Sequence, residues 1–135
     1  MPEKKHVDDA TIPSESKLWR RIPKWQWTKD ENLGRVRPSS AAFEDEELSV
    51  FLKIVLDEKG LGVDHVLEGH QGFAVASIAA GIARECKQAV VRDPMEGSPA
   101  HGLVVGKKTD GTRKKFYKNS EWVVSPDRAS GSVAS

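Results

Sequence analysis

The sequence predicts a single small α+β domain built on a mixed sheet. Three observations carry that prediction. Residues 48–56 (LSVFLKIVL) are dominated by β-branched and aliphatic side chains, the composition of a central strand. Ile78, Ile82 and Cys86 recur at i, i+4 and i+8, with Ala79 and Ala83 on the same side and Arg84, Glu85 and Lys87 turned outward. That is the stripe of an amphipathic helix over 77–87. Residues 88–92 (QAVVR) and 100–106 (AHGLVVG) are short strand patterns, separated by a turn-rich stretch that holds Pro94 and Pro99.

The remaining elements follow in chain order. Residues 1–17 are polar, carry two prolines and show no periodicity, which predicts a flexible arm. The folded body is expected over 18–124. It opens with LWRRI (18–22), and Pro23 blocks helix continuation. Residues 24–28 (KWQWT) alternate polar and aromatic side chains, a half-buried strand pattern with Trp25 and Trp27 on one face. A turn over 29–34 leads to a short strand before Pro38. After the acidic run 44–47 comes the strand 48–56, a turn at 57–60 and a single helical turn at 63–68. Residues 72–76 read as a strand running into the helix 77–87, with the Ser77 hydroxyl as its cap. Gly81 costs that helix about 1 kcal/mol relative to Ala, a cost consistent with close packing. Residues 112–119 predict a polar helix held by Phe116 and Tyr117, and 122–124 end the body. The tail 125–135 (SPDRASGSVAS) has the composition of a disordered segment.

Composition excludes several classes. The longest apolar stretch, 72–83, has 12 residues and contains Ser77, against the ~18–20 needed to span a bilayer, so no membrane partner is expected. The N-terminal segment lacks the apolar core of a secretory signal. One cysteine, Cys86, excludes an intramolecular disulfide and fits a reducing, cytoplasmic setting. Net charge is only +1, yet it is unevenly placed. Residues 41–70 hold eight acids and two bases, whereas 101–120 hold six bases and one acid. The two regions either complement each other or present a basic face to an anionic partner.

The chemistry-bearing residues form no complete motif. His6, His65, His70, His101 and Cys86 lack zinc spacing, so no metal and no cofactor are expected. Cys86 sits on the apolar stripe, the place of a packed thiol rather than a nucleophile. Neither a G-x-S-x-G elbow nor a phosphate loop occurs, and 105–109 (VGKKT) lacks the leading glycine of the latter. His70 and His101 both fall at element ends, where sites are built. Folded into one cleft with Arg92 and Asp93, they would form an acid–base pair, since imidazole titrates near neutrality. Arg92, Lys107 and Lys108 would hold an anionic group such as a phosphate. The plainer alternative is that each histidine bonds nearby main chain and orders a loop. A weaker analogy is to ADP-ribosyltransferase layouts, through Arg20 or Arg21 and the pair Ser39-Ser40; the glutamate such layouts need is not identifiable. Arg113, Lys114, Lys115 and Lys118, with Lys107 and Lys108 upstream and Phe116, Tyr117 and Trp122 interleaved, are the candidate surface for nucleic acid or an acidic protein. A face of Trp19, Trp25 and Trp27 is a third candidate, as core or as interface.

Three blocks, RPSSAAF (37–43), GHQGFAVAS (69–77) and VVRDPMEGSPAHGLVVGKKT (90–109), resemble a family of small, largely uncharacterised bacterial proteins. The resemblance spans about 19–124 and implies a bacterial cytoplasmic origin, with no activity attached. The leading expectation is a small binding or accessory domain that meets an anionic protein or nucleic acid through its basic C-terminal segment. The alternative is a histidine-dependent enzyme acting on a phosphoester or nucleotide.

Overall fold

The computed structural model describes residues 7–129. The chain forms β1 (Lys17–Ile22), a 3-10 turn (Lys24–Gln26), a hairpin of β2 (Trp27–Asp30) and β3 (Arg35–Pro38), and a second 3-10 turn (Ser40–Phe43). It continues through β4 (Glu47–Leu52), α1 (Lys53–Lys59), α2 (Val63–Val66), β5 (Ala74–Ala79), α3 (Ala80–Glu85), β6 (Ala89–Arg92) and β7 (His101–Val105). It ends with α4 (Asp110–Lys118), β8 (Glu121–Val124) and the helical turn α5 (Pro126–Ala129). The architecture is α+β. Six strands pair in the order β6-β7-β4-β1-β5-β8, and β2-β3 form a separate ribbon. Every pairing between named strands is antiparallel, where a mixed sheet was expected.

Residues opposite one another in an antiparallel ladder share a face. Leu48 opposite Val104, and Val90 opposite Val104, therefore build one face, and all three are fully buried. Phe43 meets Phe116 of α4 edge to face, centroids 5.7 Å apart, which seats that helix on the second 3-10 turn. The other face carries Trp19, Phe51 and His101, joined by the pairs Trp19–Phe51 and Phe51–His101, and it is the face on which polar groups collect.

Several elements differ from expectation. Residues 7–16 are not a loose arm. Ile12 is 0% exposed, Asp9 N–H donates to Val90 O (2.8 Å), and Val90 N–H donates to the Asp8 carboxylate (2.9 Å). These bonds occupy main-chain groups on the outer side of β6 that would otherwise lack partners. Residues 1–6 and 130–135 of the expected arm and tail lie outside the described residues, while α5 begins the C-terminal segment as a helical turn with Pro126 buried.

The segment 24–28 is a 3-10 turn followed by β2, with Gln26 N–H bonded to Pro23 O (2.8 Å). Trp25 and Trp27 therefore part company. Residues 48–56 break at Leu52, because pairing with β7 ends at Phe51 and Lys53 forms an i,i+4 ion pair with Asp57 that supports α1. An apolar run fits a buried helix as well as a strand. The boundary at 77 also moves. Pairing with β1 carries β5 through Ala79, so Ser77 is a buried strand residue opposite Trp19 and caps nothing. Gly81 leaves room for residue 14 rather than for a sheet: an added Cβ would lie 3.2 Å from Ser14 Cβ. The polar helix begins at Asp110, capped by the Thr109 hydroxyl, which accepts from Thr112 N–H (3.2 Å).

Candidate functional site

The site starts where the sheet opens. β1 and β4 pair at only two positions, Leu18–Leu52 and Trp19–Phe51. Beyond them the carbonyl of Ser49 faces the gap, and Arg20 occupies it. Its Nη1 donates to Ser49 O (2.9 Å) and its Nε to Ala42 O (3.0 Å), while Nη2 lies 3.9 Å from the Asp45 carboxylate. Burial pulls the Arg20 guanidinium below its ordinary pKa, and Asp45 opposes that pull.

Arg21 is placed differently. Its Nη1 donates to Val66 O (3.1 Å) and lies 3.1 Å from His70 Nδ1, and its guanidinium sits 5.1 Å from the centre of the Phe51 ring. Burial lowers its pKa as well. No carboxylate pairs with it among the described residues. A partly shielded cation without a counter-ion attracts an anion, because its field is poorly screened there.

The two imidazoles have different neighbours. His101 Nδ1 lies 3.0 Å from both the carbonyl and the carboxylate of Asp93. Facing two acceptors, Nδ1 carries the proton, which leaves the Nε2 lone pair free. Asp93 is held for this by a further main-chain bond, its N–H to His101 O (2.9 Å), one rung past the β6–β7 ladder. At His70 the ring nitrogen Nδ1 meets Arg21, which only donates, and also Glu68 O at 2.9 Å. The same nitrogen thus faces a donor and an acceptor, and the contact to the Glu68 carbonyl is the shorter of the two.

Both histidines line one cavity of about 470 Å³ together with Arg20, Arg21, Ser49 and Phe51. Pro23, Gln26 of the first 3-10 turn, Phe73, Met95 and Ser98 complete its wall. Two of the three sequence blocks meet here, one bringing His70 and Phe73, the other Met95, Ser98 and His101. The first block supplies the Ala42 carbonyl that holds Arg20.

The other expected site residues lie elsewhere. Arg92 does not line this cavity: it pairs with Asp9 (3.2 Å) and bonds the Thr11 hydroxyl. Lys107 is exposed and also outside it. Lys108 is 6% exposed, and its ammonium donates to the carbonyls of Glu46, Val104 and Gly106 (2.9–3.0 Å). All three donors are occupied, so Lys108 is a structural cation and holds no ligand. Desolvation by burial pushes it down to about 8, against the pull of Glu46 and Asp45. Arg113 pairs with Asp110 and Lys115 with Glu85, whereas Lys114 and Lys118 are exposed. The tryptophans share no face: Trp19 is buried, Trp27 packs edge-on against Trp122 (6.4 Å), and Trp25 points outward. Ser39 and Ser40 do not reach the cavity, which separates them from Arg20 and Arg21. No cluster of three or more metal-ligating side chains and no membrane-crossing helix occurs among the described residues.

Sequence reasoning passed over Arg21 as an anion ligand. Its signal was two adjacent arginines inside an otherwise apolar strand, LWRRI, a place where charges are expensive unless used. No family model, curated protein or solved structure matches the chain.

Proposed function

We propose that the protein is an enzyme that binds a phosphate-bearing small molecule in this cavity and hydrolyses or transfers its phosphoester by histidine acid–base chemistry. One observation carries the reading: a guanidinium without a carboxylate partner lines the same cavity as two imidazoles, one of them held by Asp93. Arg21 seats the anion. Nε2 of His101 takes the proton of an attacking water or hydroxyl as its oxygen bonds phosphorus. Nε2–H of His70 gives a proton to the leaving ester oxygen as the P–O bond breaks. Asp93 keeps the His101 lone pair directed away from itself and steadies the imidazolium that forms.

A panel of phosphomonoesters and phosphodiesters tests this across pH 5–9. Turnover is expected, with His101→Asn reducing kcat by roughly 10²–10⁴-fold, the usual worth of a positioned general base. Phosphate binding should survive that change and weaken in Arg21→Met. An inert panel, or a His101→Asn variant with full activity, overturns the proposal.

A second reading keeps the anionic macromolecular partner. It is favoured by Lys114 and Lys118, exposed on α4 with no acidic partner among the described residues. It is the weaker reading, because Lys108, Arg113 and Lys115 are engaged within the fold. A bacterial cytoplasmic setting remains part of this proposal, resting on the resemblance of the three blocks, and the lone thiol of Cys86 is compatible with it.

A further inference from the structure

Trp25 is 76% exposed. Indole rings rarely stand so free, since each carries a large apolar area. Its position is not arbitrary. Trp25 is the middle residue of the 3-10 turn whose neighbour Gln26, with Pro23 just before the turn, lines the cavity. Two ring contacts lead inward from it. Trp25 meets Phe73 edge to face with centroids 6.4 Å apart, and Phe73 meets His70 in the same way at 5.1 Å. His70 in turn touches Arg21. Met95, which also lines the cavity, is 55% exposed and adds a second exposed apolar group. Arg21 is thus joined through His70 and Phe73, which all line the cavity, to the exposed ring of Trp25, which lies outside that lining.

We propose that the occupant is a mononucleotide, its phosphate on Arg21 and its base stacked on the exposed face of Trp25 beside Phe73. This rests on the anion reading of Arg21 and names the ligand for that site. Every base has a π face, so an aromatic platform accepts it without hydrogen-bond readout. A cavity of about 470 Å³ falls in the range of small-molecule sites, roughly 300–1,000 Å³.

Calorimetric titration of the full chain with 5′-AMP, ribose 5-phosphate and adenosine tests the proposal. AMP should bind at least about fivefold more tightly than ribose 5-phosphate, the gain from one stacked base. Trp25→Ala should abolish that preference and leave ribose 5-phosphate affinity unchanged. Its exposed position makes the substitution safe for folding, and Trp25→Phe should restore part of the preference. AMP should also quench tryptophan fluorescence in the wild type and not in Trp25→Phe. Equal affinities for AMP and ribose 5-phosphate, or a preference that survives Trp25→Ala, overturn the platform while leaving the Arg21 reading intact. If ribose 5-phosphate does not bind but adenosine does, and loses affinity in Trp25→Ala, the Arg21 reading falls and the platform stands. If neither AMP nor adenosine binds, the proposal is overturned.

Discussion

Replacing Lys108 by methionine separates a structural ammonium from a ligand-binding one. The substitution keeps the length of the stem and removes three donors from the carbonyls of Glu46, Val104 and Gly106. At about 1 kcal/mol for each lost bond, the variant should be roughly 3 kcal/mol less stable at pH 7. Its pH dependence carries a sign. The unfolded chain holds the Lys108 proton up to its ordinary 10.5, whereas the folded chain holds it only to about 8. Between those values the unfolded state binds more protons, so this group makes wild-type stability rise with pH. The variant lacks that gain. The full difference corresponds to at most ~3 kcal/mol, and water around a partly shielded ammonium reduces it to roughly 1–2 kcal/mol. Urea midpoints measured at pH 7, 8.5 and 10 should therefore show a gap between the two proteins that widens with pH. A gap below about 1 kcal/mol at pH 7, or one that narrows toward pH 10, refutes the structural role.

Two further outcomes are expected. Ile12→Ala empties a fully buried site and should cost about 2–5 kcal/mol in thermal or urea unfolding; an unchanged midpoint would return residues 7–16 to a loose arm. Lys114→Glu combined with Lys118→Glu should leave stability within about 0.5 kcal/mol and ribose 5-phosphate affinity unchanged, because both side chains are exposed and outside the cavity. A mobility shift of wild-type protein with an oligonucleotide, lost in the double variant, would favour the macromolecular partner instead.

Much of the fold was legible locally. The α4 helix was legible because a polar face and the apolar anchor Phe116 lie within one short stretch, whereas its Thr109 cap emerged only in the structure. The β2–β3 turn was readable because Gly34 adopts φ 69°, a conformation few other residues take. The misread boundaries share a cause. At 52–53 and 77–80 the chain is apolar on both sides of the change, so hydrophobicity carries no mark of where strand becomes helix. Pairing partners far along the chain decide it: β4 is paired to β7 as far as Phe51 and to β1 as far as Leu52, and β1 holds β5 to Ala79.

The candidate site divides in the same way. Residue type alone picked out His70 and His101 as groups able to move protons, since few side chains titrate near neutrality, whereas Asp93 entered only as a neighbour in their cleft and becomes the partner of His101 through the fold. Charge alone could not rank the cations. The sequence favoured Lys108 and Arg92 and passed over Arg21, and only the tertiary structure separated them by what each one touches. Three carbonyls surround the first and Asp9 meets the second, while Arg21 alone of the three is left facing an imidazole in a cavity without a carboxylate partner. A cation's availability depends on neighbours distant in sequence, and folding alone determines which neighbours those are.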